Sequence, residues 1–279
     1  MKIGVWLHDY FYRKHCGKPM YGIEEKGWFF LNMDEVCRVT PEIFEDLKNL
    51  GVECVEMGGS LARLEKMIPV LKERDNIEMI LHTEGDPFTD RFNSENIHIR
   101  RAAIENLKRN IDIALEINVN TIVIHPPAYC DKSIDAVREC YQYAQNNNVV
   151  MALENSAHGE IGTSKLIKFI RAIDIENIEY TFDTGHANIG GSPLKCAEML
   201  GKKIRHVHWH DNNGEKDQHL GPGMGNIDFH PLMDFLLETD KKKEKEITLT
   251  LECDKPIVNY EETFLRTKKL RDDLIKRKG

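Results

Sequence analysis

The chain has 279 residues, 41% of them hydrophobic, which is enough to bury a full core, and its length suits one α/β barrel as well as two small domains. A formal charge of -8, with a pI near 5.9, sets long-range electrostatics against a nucleic-acid partner, although a local basic patch stays compatible with it. Seven scattered cysteines, never paired as C-x-x-C, give neither a disulfide framework nor a zinc knuckle; with no signal-peptide core in MKIGVWLHDY and no run of roughly twenty apolar residues, a cytoplasmic protein with no membrane segment is expected.

Short β-branched apolar runs alternate with longer amphipathic stretches eight times, the arrangement of parallel strands joined by helices. Strands are expected at 3–7, 53–57, 78–82, 121–125, 149–154, 179–183, 205–209 and 247–252. The first connection, at about 9–32, exceeds the roughly two to six residues usual for such loops. It carries Tyr10, Phe11, Tyr12, Trp28, Phe29 and Phe30. Lying beyond the carboxyl end of a barrel strand, it is either a substrate lid or an ordinary packed insertion. Thr40-Pro41 then places a cap before a first-turn proline, and Gly51 stops that helix. A long helix follows over 94–118, with Ile97, Ile104, Leu107, Ile111 and Leu115 on one face. Later helices are expected over 133–147, 163–173, 193–200, 230–237 and 260–276, and KKKEKE at 241–246 reads as a solvated loop. No linker or composition shift divides the chain, so the expectation is one α/β domain over 1–279, a (β/α)8 TIM barrel.

His8, Glu56, His82, His125, Glu154, Asp183, His208 and Glu252 lie at or beside the eight expected strand ends. With 46 acidic residues and 12 histidines in 279, chance would place about one or two such groups there. The carboxyl ends of barrel strands converge on one mouth, which brings residues distant in sequence together. Carboxylates ending buried apolar runs need a cation or donors nearby, and a metal supplies one. His8 and Glu56, outside any informative local motif, read as structural rather than liganding. The densest segment is HVHWHDNNGEKDQHLGPGMGNID, where His206, His208 and His210 share a face if the strand continues that far. The glycines at 221, 223 and 225 form either a plain turn or a set of backbone donors for an anion.

Taken together, LHTEGDPF, VIHPP, ALEN, FDTGH, HVHWHD, DQHLGPGMGNID and LTLE resemble, in order and spacing, the xylose-isomerase-like barrel superfamily. That superfamily holds sugar isomerases and epimerases together with endonuclease IV, the apurinic-site nuclease of AP endonuclease family 2. Its epimerase branch implies one divalent metal held by Glu154, Asp183, His208 and Glu252. Glu154 and Glu252 are then the catalytic pair, passing a proton through a metal-stabilised enediolate. His186 and Glu160 match positions that touch substrate hydroxyls. An arginine that some ketose epimerases place after the metal histidine is missing, which leaves Lys216 as the candidate contact in that region.

The endonuclease branch implies three zinc ions, and its nine ligands have counterparts in His82, His125, Glu154, Asp183, His186, His208, Asp217, His219 and Glu252. Against it, the loop after His82 carries Glu84, Asp86 and Asp90, which repel a phosphate backbone. The preferred expectation is a metal-dependent sugar or sugar-phosphate isomerase or epimerase acting on a small polyhydroxylated molecule, with the nuclease as its rival. A non-catalytic barrel binding a metal-chelated ligand is a third reading, disfavoured by the intact acid/base pair. Mixed carboxylate and imidazole ligands suit zinc, manganese, cobalt or iron, one to three ions per chain. Homo-oligomerisation is left open.

Overall fold

The computed structural model describes residues 1–7, 11, 14–15, 21–24, 27–30, 32–74, 77–83, 89–175, 178–253 and 259–278. Its elements in chain order begin with β1 (Lys2–Trp6), β2 (Tyr21–Glu24), β3 (Gly27–Phe30), α1 (Met33–Leu50), β4 (Cys54–Gly58), α2 (Leu61–Lys72) and β5 (Glu78–His82). A short 3-10 turn at Thr89–Asn93 leads into α3 (Ile97–Glu116), β6 (Thr121–Ile124), α4 (Asp131–Asn146), β7 (Val150–Glu154) and α5 (Gly159–Ile173). The chain continues with β8 (Glu179–Asp183), α6 (Thr184–Asn188), α7 (Pro193–Leu200), β9 (Ile204–Trp209), α8 (Phe229–Asp240), β10 (Thr248–Leu251) and α9 (Tyr260–Lys278).

Eight parallel strands close in the order β1-β10-β9-β8-β7-β6-β5-β4, so the expected (β/α)8 barrel is the observed fold. Strands walled by helices outside and side chains inside are buried on both faces, as the unbroken burial of β6, β9 and β10 shows. Closure between β1 and β4 depends on Gly4, because a Cβ there would lie 2.0 Å from the Cys54 carbonyl oxygen. On the floor of the barrel, buried Arg205 bonds Thr121 and the Glu246 carbonyl, with Glu78 and Glu179 carboxylates 3.7 and 3.9 Å away.

Three expectations change. The first helix does not begin at Pro41 but at Met33, where Asn32 caps the Asp34 N–H, and Pro41 lies inside it. Val36, Val39, Thr40, Ile43, Phe44 and Leu47 form one buried stripe across the proline. Burial of that stripe outweighs one missing backbone donor. In α3, Ile104, Leu107 and Ile111 face the core as expected, but Ile97 and Leu115 are exposed. Third, the first connection contains the antiparallel hairpin β2–β3 rather than loop alone. Phe11 is buried against Tyr260, with ring centroids 5.5 Å apart; Tyr10 and Tyr12, and the side chains of Trp28, Phe29 and Phe30, lie outside what is described.

Candidate metal centre

Four neighbouring strands deliver one side chain each to the barrel mouth. Glu154 ends β7, Asp183 ends β8, His208 lies one residue from the end of β9, and Glu252 follows β10. Asp183 and His208 are register partners, so they emerge at one level. From His208 Nδ1 the nearest carboxylate oxygens are those of Glu252 at 3.2 Å, Glu154 at 3.4 Å and Asp183 at 3.6 Å. Burial alone would raise the carboxyl pKa of Glu154, but the charges of His208 and His125 outweigh it and hold it well below the usual range. Asp183 is likewise held low, with His186 and His210 opposing its burial. Both stay ionised in a buried place.

The ring nitrogens of His208 are sorted by an interior network. Its Nε2 lies 2.9 Å from Glu56 Oε1, while the other oxygen of Glu56 meets His206 Nε2 at 2.7 Å and Thr250 Oγ1 at 2.5 Å. His206 Nδ1 reaches Thr248 Oγ1 at 2.7 Å. Glu56 contacts two histidines from inside the barrel, and with His82 and His208 it also forms a group of three metal-type ligand atoms. With Nε2 engaged, only Nδ1 of His208 faces the mouth. His208 Nδ1 and Glu154 Oε2 are buried without a hydrogen-bond partner among the described residues, as is His210 Nδ1. Orphaned ligand-type atoms converging on one point are what a cation would satisfy.

The five further candidates join the same cluster. His82 and His125 bring Nε2 to 3.5 and 3.2 Å from Glu154 Oε2. His186 and His219 bring Nε2 to 3.4 and 3.0 Å from Asp217 Oδ2. Three of these rings place Nδ1 against a backbone carbonyl: His82 at Thr83, His186 at Asn155 and His219 at Glu252, at 2.7, 2.9 and 3.0 Å. A carbonyl only accepts, so Nδ1 carries a proton, and Nε2, turned to the cluster, is the atom that would lose its proton to ligate a cation. The atoms form overlapping groups of three: Glu56–His82–His208, His82–His125–Glu154, Glu154–Asp183–His208, Asp183–His210–Glu252 and His210–Asp217–His219.

His210 belongs to that list, although it was not among the candidate ligands. Its Nε2 lies 3.0 and 3.1 Å from the Asp183 oxygens, and its ring stacks on His219 at 4.2 Å. The period-two alternation of His206, His208 and His210 was its signal, even though β9 stops at Trp209. Trp6, at the end of β1, was also missed; its ring packs edge-on against His82 and His208. The other candidates stand apart. Glu160 accepts from the Ser192 N–H at 3.3 Å, and Lys216 is exposed on the loop after β9. Among the described residues neither bonds to the cluster. His8, Glu84 and Asp86 lie outside the described residues, and Asp90 is exposed.

The glycine-rich turn resolves to its plainer reading. Buried Asp211 accepts the N–H groups of Asn212, Gly223, Gly225 and Ile227 at 2.8–3.2 Å, so these donors serve an internal carboxylate and not an external anion. Gly225 leaves no room for a side chain, since a Cβ would lie 2.2 Å from the Asn212 carbonyl. The anchored turn fixes the loop carrying Asp217 and His219. Beside the cluster lies a cavity of about 320 Å³ bounded by His125, Pro126, Glu154, Asn155, Ser156, Ala157, His158 and His186, a volume at the small-molecule end of ligand sites.

The family described as xylose isomerase-like TIM barrel matches residues 44–269. Over 193 residues the chain is 32% identical to an uncharacterized protein of Methanocaldococcus jannaschii, covering 62% of this chain and 64% of that relative's length. A fructoselysine 3-epimerase of Shigella flexneri is 23% identical over 216 residues, covering 68% of this chain and 78% of that one. A probable endonuclease 4 of Staphylococcus aureus is 25% identical over 239 residues, with coverage of 71% and 80%. Among solved structures, a D-tagatose 3-epimerase-like protein superposes with a TM-score of 0.71 at 22% identity, covering 99% of this chain and 97% of that one.

Proposed function

The chain belongs to the xylose isomerase-like TIM-barrel family, and from that premise we propose that it is a divalent-metal-dependent sugar or sugar-phosphate epimerase or isomerase. The observation that carries this reading is the set Glu154, Asp183, His208 and Glu252 on four successive strands, with orphaned Glu154 Oε2 and His208 Nδ1. These four fit a divalent cation by donor chemistry, and Glu56 holds His208 with the correct nitrogen outward. A cation there supplies Lewis-acid polarisation of a carbonyl oxygen.

The chain's own groups do the rest. Glu154 and Glu252 reach the mouth from strands separated by β8 and β9, so they address a bound carbonyl compound from two sides. One takes the proton from the carbon beside the carbonyl and the other returns one to that carbon or its neighbour. His186 borders the cavity and offers a contact for a substrate hydroxyl; Glu160, in the first turn of α5, and Lys216, on the loop after β9, are assigned the same role. A cavity of about 320 Å³ suits a monosaccharide, and the similarity to proteins named as 3-epimerases supports the reaction class.

The test is solvent deuterium incorporation into a panel of ketoses and their phosphates, followed by NMR with metal-loaded protein. Glu154→Gln and Glu252→Gln should each lower exchange at least a hundredfold with the fold retained. Full exchange in both variants would overturn the proton-transfer assignment. One observation favours a second reading: eight of the nine endonuclease-type side chains fall into groups of three ligand-type atoms, and the ninth, His186, lies 3.1 Å from Glu154 Oε1 and 3.4 Å from Asp217 Oδ2. That reading predicts incision of an abasic-site duplex by zinc-loaded protein, lost in Asp217→Asn. The charge of -8 and the small cavity favour the sugar reading.

A further inference from the structure

Outside the histidine–carboxylate cluster, a second cavity of about 350 Å³ lies between the loop after β6 and the outer face of α5. It shares Pro126 and Ser156 with the first cavity, so the two adjoin. Its walls are mostly apolar: Pro126, Pro127 and Ala128 on the loop side, Leu166 and Phe169 on the helix. Tyr129 stands at its rim, 52% exposed, with its ring edge-on to Phe169 at 6.1 Å. An aromatic ring left half in water beside a concave apolar wall is a surface on which a flat group can pack.

Lys165 and Lys168 add charge of one sign. They are a helical i,i+3 pair on the exposed side of α5, and both line the cavity. The Lys168 ammonium sits 5.3 Å from the centroid of the Tyr129 ring, which ties its position to that of the ring. Neither lysine pairs with a carboxylate among the described residues, although the chain is acidic overall. A pocket with an apolar body and two unneutralised ammonium groups is complementary to a flat apolar ligand ending in an anion.

We propose that this second cavity is a binding subsite for a planar apolar group bearing a phosphate, sulfonate or carboxylate, so that the natural substrate is a sugar joined to such a group. The inference rests on the sugar-enzyme reading of the adjoining cluster. Binding a remote, unreactive part of the substrate would hold the sugar end over Glu154 and His186, and loss of that part would lower turnover as well as affinity.

Calorimetry of the full-length, metal-loaded chain with phenyl phosphate tests the subsite apart from any reaction, with phenol and inorganic phosphate as separate arms. Phenyl phosphate should saturate one site with a Kd at least tenfold below that of either fragment. Lys165→Glu/Lys168→Glu, both on exposed positions, should weaken it tenfold or more, and Tyr129→Ala should weaken it severalfold. Glu154→Gln should leave it within twofold. The subsite is overturned if no saturable binding occurs, or if Glu154→Gln removes binding that the double lysine variant keeps, because the anion then sits on the cluster. Binding that behaves as expected while deuterium exchange never appears would retain the subsite and reject the sugar reading.

Discussion

The Glu56 carboxylate decides which nitrogen of His208 reaches the mouth, because both of its oxygens are spent on His206, His208 and Thr250. Glu56→Gln keeps the shape but turns one acceptor into a donor facing an imidazole edge. Metal affinity should fall about 10–100-fold, measured by competition with a chromophoric chelator; unchanged affinity would reduce Glu56 to a filler of the barrel. Burial gives a second residue-scale prediction, since it pushes the Cys140 thiol up to about 12 from an ordinary 9.0. A pKa raised on folding adds stability below the unfolded value, and that contribution is lost as pH climbs from about 9 towards 12. Thiol titration of native protein at pH 8 should leave the buried Cys54, Cys140, Cys196 and Cys253 silent until denaturant is added; rapid reaction of Cys140 would contradict its packing. His82, His125, Glu154, Asp183, His208 and Glu252 were legible because each lies at or beside the end of an apolar run, whereas Asp217 and His219 stand in a loop and were legible only through the family resemblance. The carbonyls of Thr83, Asn155 and Glu252 that fix the imidazole tautomers were not, since every residue type carries that acceptor.

At the scale of elements, strand positions were legible because strands buried on both faces are dense β-branched runs, whereas helix starts were obscured by Pro41, whose turn-like signal was overridden by the buried stripe of α1. The role of Gly4 was equally hidden, for it depends on how closely β1 approaches β4 at Cys54. Gly4→Ala places a methyl inside contact distance of backbone and Sγ atoms that have nowhere to move. It should cost about 3 kcal/mol or more, beyond the usual overpacking range because backbone is involved, and lower Tm by roughly 6–12 °C. A thermal melt of the apo protein checks this, and an unaltered Tm would show that the two strands can part cheaply. Because the clash lies below the mouth, metal stoichiometry should stay the same in any folded fraction.

The whole molecule sets how many cations the mouth can hold, which residues alone cannot decide. Closure in the order β1-β10-β9-β8-β7-β6-β5-β4 lines up β7 to β10 as one arc bearing Glu154, Asp183, His208 and Glu252, with His82 beyond on β5 and His125 just after β6. Asp217 and His219 come from the loop pinned by Asp211. The arc is therefore built into the barrel itself, while one side of the cluster depends on a loop. Ions held by the arc should bind more tightly and stabilise the fold more than any held by the loop. A ligand present at a hundredfold excess over its Kd raises stability by about 2.7 kcal/mol, so chelation should lower Tm in a step that Glu154→Gln largely abolishes and Asp217→Asn leaves in place. Elemental analysis during stepwise chelation separates the alternatives: one ion that leaves with the Tm step fits the epimerase arrangement. Three ions leaving together, with equal sensitivity to both substitutions, would mean that loop and arc act as one trinuclear centre and would favour the phosphodiesterase reading.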